Sequence, residues 1–278
     1  MKKLISLYIT IILFSSVNLF SQKDDYLFLT DEDVKNGAHH SKHFEIFSKY
    51  CEGYNLDILK AMDIIQQSAP DGGGYFIGIK ANPPESPIGY NLKLLGNELL
   101  KAPRTTSYCS GASYAVFIEA LNLIFANEEK KISDENIEAI RLQEPDGSRR
   151  EDDIKFWGKW NTNGYGNHIA LVQYSGIGKQ ISAKEARPGD FVNISWKNGN
   201  GHSTVFLGWY IDEDKDTNMV YFSSQKATNG IGDQIVDVKS IAEVMFVRLT
   251  NPEDLFSVKF NENVVNNIKG EILFEGDK

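Results

Sequence analysis

Two side chains of this 278-residue sequence have the types and the setting that nucleophilic catalysis needs. Cys109 sits in Thr106-Ser107-Tyr108-Cys109-Ser110-Gly111-Ala112-Ser113, small polar residues directly ahead of an apolar run. His202 comes 93 positions later, between the polar stretch Lys197–Gly201 and the apolar Val205-Phe206-Leu207. A cysteine attacks as its thiolate, and a helix N-terminus favours that form because its backbone N–H groups and macrodipole attract negative charge. A neighbouring imidazole can take the thiol proton and later return it. It does so best when a third polar group holds its other nitrogen in one tautomer. That third group is sought in Ser223-Ser224-Gln225. Strand alternation puts Val220, Phe222 and Ser224 on one face, and Tyr221, Ser223 and Gln225 on the other. Gln225 has the reach and a carbonyl acceptor, so it is the choice. Ser224, a backbone carbonyl or a water are the alternatives.

The elements that must position these groups can be read around them. Apolar residues at Tyr114, Phe117, Ile118, Leu121 and Ile124 follow helical spacing, so a helix starts near Cys109. Phe191–Trp196, Ser203–Tyr210 and Met219–Phe222 read as strands, and the turn between the first two places His202 at a strand start. Arg187-Pro188-Gly189-Asp190 is a turn leading into the first of them. Further helices are expected at Leu56–Ile65, Leu92–Leu100 and His168–Tyr174, with a short strand at Tyr75–Ile79. Pro70-Asp71-Gly72-Gly73-Gly74 must be a loop, and Pro83, Pro84 and Pro87 enforce an extended connection. Phe156, Trp157 and Trp160 suggest a local core or the wall of a groove.

Lys2 and Lys3 ahead of the apolar Leu4–Phe20 read as a signal peptide over residues 1–21, hence an exported protein, periplasmic or extracellular. No later stretch is apolar enough for a stable membrane span. Net charge is −9, or −11 without the two leader lysines, and no basic patch exists to hold nucleic acid. The remaining residues 22–278 fit a single domain. Two cysteines exclude a disulfide-built scaffold, although a Cys51–Cys109 bridge is possible and would remove the nucleophile. His39 and His43 are four apart and could share a helix face as metal ligands. Nothing adjacent completes a ligand set, so a solvated helix start is expected there, with no metal and no cofactor.

With these residues in view, the chain resembles the NlpC-type cell-wall peptidases, papain-like cysteine hydrolases related to the CHAP amidases. Cys109-Ser110-Gly111 is similar to their helix-opening Cys-Ser-Gly. Arg187-Pro188-Gly189-Asp190-Phe191-Val192 is similar to their Pro-Gly-Asp strand, and Gly201-His202 through Leu207-Gly208 to their His strand. The resemblance implies an α+β, papain-like core with an antiparallel sheet packed on the helix that starts at Cys109. It implies an extension over about residues 22–86 and an insertion over about 122–162. It further implies an amide or peptide hydrolase acting on peptidoglycan or a peptide, with Cys109, His202 and Gln225 catalytic. Ser110, Tyr108 and Tyr90 would then contact substrate, Tyr90 as the candidate second oxyanion donor beside the Cys109 N–H. Tyr108 stands where many members carry Asp. A binding module of the same fold without activity, and a thioester-forming acyltransferase, are the rival readings.

Overall fold

The computed structural model describes residues 26–77, 90–101, 106–146, 148, 155–157 and 165–274. The expected leader, the Pro83–Pro87 connection and Trp160 lie outside these residues. In chain order the elements are α1 (Asp31–Val34), α2 (His43–Phe47), α3 (Asn55–Ser68), β1 (Leu92–Leu94), β2 (Asn97–Leu100), α4 (Cys109–Ile124) and α5 (Asp134–Ala139). A helical run, α6 (Gly166–His168) continued by a π-helical turn to Tyr174, leads into β3 (Gly178–Ile181). Then come β4 (Phe191–Trp196), β5 (Gly201–Ile211), β6 (Thr217–Gln225), β7 (Gly230–Asp237) and β8 (Ile241–Leu249). The fold is α+β: β3-β8-β4-β5-β6-β7 form one six-stranded antiparallel sheet.

The sheet buries both faces. Phe191, Val205, Leu207, Val220, Phe222 and Val247 turn toward α3 and α4, while Val192, Ile194, Phe206, Met219, Tyr221 and Phe246 form the opposite core. Helix α4 is apolar nearly all round, as a helix enclosed by neighbours must be. Besides the sheet and α3, it is walled by Ile137, Ile140, Phe156 and Trp157. Those four come from the segment expected as an insertion, so that segment supplies core.

Two expectations fail, one on turn chemistry and one on burial. Leu92–Leu100 is a β1–β2 hairpin and no helix: Leu95 and Gly96 both adopt positive φ, 49° and 85°, the two-residue turn that matches the twist of paired strands. Tyr75 forms an isolated bridge to Ser107, and residues beyond 77 lie outside those described. His43 does not open a solvated helix either. It is fully buried, because Asp63 and Asp233 each accept from one of its ring nitrogens at 2.8 and 2.9 Å.

The Pro-Gly-Asp turn has a structural role. Asp190 is fully buried and accepts from Arg248 Nε (2.8 Å) and Nη2 (2.6 Å), Asn55 Nδ2 (2.9 Å) and the Arg187 N–H (2.7 Å). Gly189, at φ 94°, passes so close to Asn55 that a Cβ would lie 2.9 Å from its carbonyl oxygen. One carboxylate thereby ties the start of β4 to α3 and β8. Asp190→Ala would strand a partly buried guanidinium and should cost about 3 kcal/mol, read as a shift in denaturation midpoint. A loss under about 0.5 kcal/mol, the size of a surface change, would refute this role.

Candidate functional site

The chain ahead of Cys109 is aimed by a glycine loop. The Ser107 N–H donates to Gly74 O (3.1 Å), and the Phe76 N–H to Ser107 O (2.8 Å). The same loop grips the β6–β7 turn: the Gly74 N–H donates to Asn229 O (2.7 Å) and the Ile231 N–H to Gly72 O (2.8 Å). Tyr108 is extended (φ −141°, ψ 176°), and α4 begins at Cys109, the first of its 16 residues. The thiol thus stands at the positive end of a long helix.

Two serine pairs then register this helix start against the sheet. Ser107 Oγ donates to Ser224 Oγ at 2.9 Å, and Ser113 Oγ lies 2.8 Å from Ser203 Oγ. Ser113 sits about one helical turn beyond Cys109, about 6 Å along the axis. Ser203 neighbours His202, and Ser224 neighbours Gln225. Cys109 is therefore bracketed by contacts to the residues next to His202 and Gln225. The second bracket belongs to a buried network: Trp157 Nε1 donates to Ser113 Oγ (3.1 Å), Ser203 Oγ to Asn167 Oδ1 (3.0 Å), and the Asn167 N–H to Asn193 Oδ1 (2.9 Å).

His202 and Gln225 occupy adjacent strands. The Val205↔Phe222 pairing, continued toward the strand ends, sets His202 opposite Gln225. Both alternate onto the face of Ile194 and Tyr221, whereas Ser203 and Ser224 face α4. The Tyr221 ring meets the imidazole edge-on at 5.4 Å, and Trp196 lies 6.2 Å away. Of the two orienting candidates, Gln225 stands on the imidazole's side. Ser224 is engaged by Ser107 on the other.

The amide of Gln225 is fixed. Its Nε2 donates to Thr228 Oγ1 (2.5 Å) and to Gly232 O (3.1 Å), which leaves Oε1 as the end that can accept. Both Gln225 Oε1 and His202 Nε2 are buried without a hydrogen-bond partner among the described residues. Burial is the main influence on His202 and pulls its pKa down to about 4, while hydrogen bonding from Gln225 works upward. The two groups are thus near enough to interact but short of a well-formed bond. The Tyr221 and Tyr75 phenols are both raised, by burial first and then by the charge of Cys109, so Tyr221 packs on the imidazole and lies within electrostatic reach of the thiol.

Cys51 and Cys109 form no disulfide. Burial, with the charge of Asp190 behind it, pushes the Cys51 thiol up to about 12, so Cys51 is not a competing nucleophile. Tyr108 and Ser110 flank Cys109 and are buried, and Ser110 Oγ has no hydrogen-bond partner among the described residues. Tyr90 is not brought to the thiol. Its hydroxyl donates to Glu119 Oε1 (3.1 Å), ten residues along α4 and about 15 Å from the Cys109 end. His168 is held between Gln180 Oε1 and Gln173 Nε2 as a packing residue. A groove of about 830 Å³ lies between α5 and residues 256–262, away from Cys109 and His202. Tyr221, Ser113 and Ser203 escaped the sequence reading, which put Tyr221 on a strand face, Ser113 in the stretch around Cys109 and Ser203 at a strand start, without a role for any of them.

Gly230 tests the glycine contact. At φ 116° its Cβ would fall 2.0 Å from Gly72 O. Gly230→Ala should lower stability by more than about 1 kcal/mol and separate the Ser107–Ser224 contact. A melting temperature equal to wild type would show the loop is not under this constraint. Among family models, curated proteins and solved structures, none matches this chain.

Proposed function

We propose that the protein is an exported cysteine hydrolase of papain-like, NlpC-type architecture that cleaves an amide bond, with peptidoglycan as substrate class. The observation that carries this reading is the bracketing of Cys109 by Ser107–Ser224 and Ser113–Ser203, which sets a helix-terminal thiol beside the strand ends bearing His202 and Gln225. In the proposed cycle Cys109 Sγ bonds to the carbonyl carbon while His202 accepts the thiol proton. The imidazolium returns that proton to the departing nitrogen, and water, deprotonated by His202, releases the acyl group and regenerates the thiol. The Cys109 N–H supplies one oxyanion donor. Gln225 Oε1, closing onto His202 Nε2–H, would leave Nδ1 as the working base. The imidazole projects from the face away from the α4 body, so the proposed cycle requires thiol and ring to meet around the ends of β5 and β6.

A second reading is favoured by one observation: Cys109 and His202 are only 3% and 8% exposed. A binding module of this fold would keep such a site shut. Digestion of purified peptidoglycan with product analysis by mass spectrometry decides between them. Iodoacetamide labelling supplements it: alkylation of Cys109 at neutral pH that peptidoglycan accelerates supports the hydrolase, a thiol inert both with and without peptidoglycan the module.

Cys109→Ala and His202→Ala should each abolish nearly all turnover with the fold intact by circular dichroism. The double variant should be little worse than either, since the two act as a unit. Additive losses would separate their roles. Gln225→Ala should cost roughly ten- to a thousandfold in kcat because it orients without reacting. An unchanged rate would remove it from the site.

The pH dependence has a defined sign. His202 has a folded pKa near 4, below its ordinary 6.5, so it stays neutral and competent as a base well into the acid range. The acid limb of kcat/KM should fall near pH 4 to 5 and not at 6.5. Stability should be lost from a higher pH, as pH drops from 6.5 toward 4, because the unfolded chain binds the proton first. His202→Gln should flatten that loss; an undiminished slope would place the responsible group elsewhere.

A further inference from the structure

A second cluster of ligating side chains lies outside the candidate hydrolase site. His40, in the turn before α2, His43, the first residue of α2, and Asp233 of β7 point one ligand atom each into a common space, all within 4.8 Å of one another. His40 Nε2 is 3.0 Å from Asp233 Oδ2, and His43 Nε2 is 2.9 Å from Asp233 Oδ1. The two imidazoles stack at 4.5 Å, so both Nε2 atoms aim at one carboxylate. We propose that His40, His43 and Asp233 bind one divalent transition-metal ion of the Zn²⁺ class, with Asp63 as positioning residue. Two imidazoles and a carboxylate are the donor set that such ions take from a protein, leaving a further coordination position open.

Three independent features support this assignment. The first is the carboxylate behind His43: Asp63 Oδ1 accepts from His43 Nδ1 (2.8 Å) and from the His43 N–H (2.7 Å), while Oδ2 accepts from the Phe44 N–H (3.1 Å). A histidine that ligates a metal through one nitrogen commonly gives its other N–H to a carboxylate, which orients the ring and strengthens the ligand.

The second is a rigid frame. The Asp233 N–H donates to Ala38 O (2.8 Å), and Gly232 lies so tightly beneath that turn that a Cβ would sit 2.7 Å from Ala38 O and 2.9 Å from the His39 ring. His39 Nε2 in turn lies 2.8 Å from Thr228 O. The third is access. A cavity of about 140 Å³ opens onto His40 and Asp233, bounded also by Ala38, Phe47 and Ile235. That is room for an ion and a water as further ligand.

On binding, the Nε2 proton of His43 leaves to solvent, and Nδ1–H stays on Asp63. His40 Nε2 must likewise give up the proton it directs at Asp233, and the neutral ring then carries its proton on Nδ1, so the long Lys42 N–H contact to that atom, 3.3 Å, must open. Gly232 O also holds the Gln225 amide, so an ion at Asp233 would stiffen the strand carrying that acceptor. The assignment does not depend on the hydrolase chemistry.

The test uses the mature protein, stripped with chelator and titrated with Zn²⁺ and with Co²⁺. One ion should bind per chain and raise the melting temperature. The Co²⁺ spectrum should show a nitrogen–oxygen environment without a thiolate charge-transfer band. Binding should survive in Cys109→Ala, weaken at least tenfold in His40→Ala, and weaken roughly ten- to a hundredfold in Asp63→Asn. Absence of saturable binding by wild type, a thiolate band, loss in Cys109→Ala, or indifference to His40→Ala would each overturn the proposal. The wild-type spectrum and stoichiometry decide even where a ligand variant does not fold.

Discussion

The arrangement around Cys109 depends on one close approach of backbone to backbone, that of Gly72 to Gly230. Neither position admits a Cβ: one at Gly72 would meet Thr228 O at 2.5 Å, and one at Gly230 would meet Gly72 O at 2.0 Å. Both residues also adopt positive φ, 91° and 116°, which L side chains resist. Because the chains can close to this distance, the loop after α3 reaches the β6–β7 turn and the segment entering α4 at once. Side-chain packing alone would leave a larger gap there. The loop therefore sets where a helix may start relative to a strand end.

The serine pairs complete what the glycines begin. A hydroxyl pair buried between helix and sheet is worth little in net stability but is costly to leave unmade. Sliding α4 by one residue would break the Ser113–Ser203 contact and take away the acceptor of the Trp157 Nε1–H together. An aliphatic interface offers many near-equal registers, whereas this network accepts few. Its place one turn beyond Cys109 is where register matters most for the thiol.

How much of this was legible in the sequence varies with how local the determinant is. The α4 start and strands β4, β5 and β6 follow from residue spacing that each element satisfies by itself. The face shared by Gln225 and Tyr221 follows from alternation, which survives any tertiary context that keeps the strand. The β1–β2 hairpin was hidden because Leu92, Leu99 and Leu100 also fit helical spacing, and the turn at Leu95-Gly96 carries the contrary signal in one glycine. Strand β7 mixes Ile231 and Ile235 with Asp233 and Asp237 on one face, and β8 is apolar on both faces across Val244–Val247, so neither shows a clean alternation. His43 was unreadable for a stronger reason. Its partners Asp63 and Asp233 lie 20 and 190 residues away, so its burial belongs to the assembled fold.

Burial frames how the proposed chemistry would run. An imidazole drawn down to about 4 holds a proton poorly, so a resting thiolate–imidazolium pair is disfavoured against neutral thiol and neutral ring. Under the proposed mechanism the proton then leaves sulfur as the carbonyl is attacked, when the oxyanion forming at the Cys109 N–H makes the imidazolium worth its desolvation. Gln225 is suited to that moment: its amide nitrogen is anchored by Thr228 and Gly232, so Oε1 can close on Nε2–H without losing its own support. Such a site gains its charge only with substrate bound. A buried cysteine can in this way stay unreactive toward solvent oxidants and still be a nucleophile.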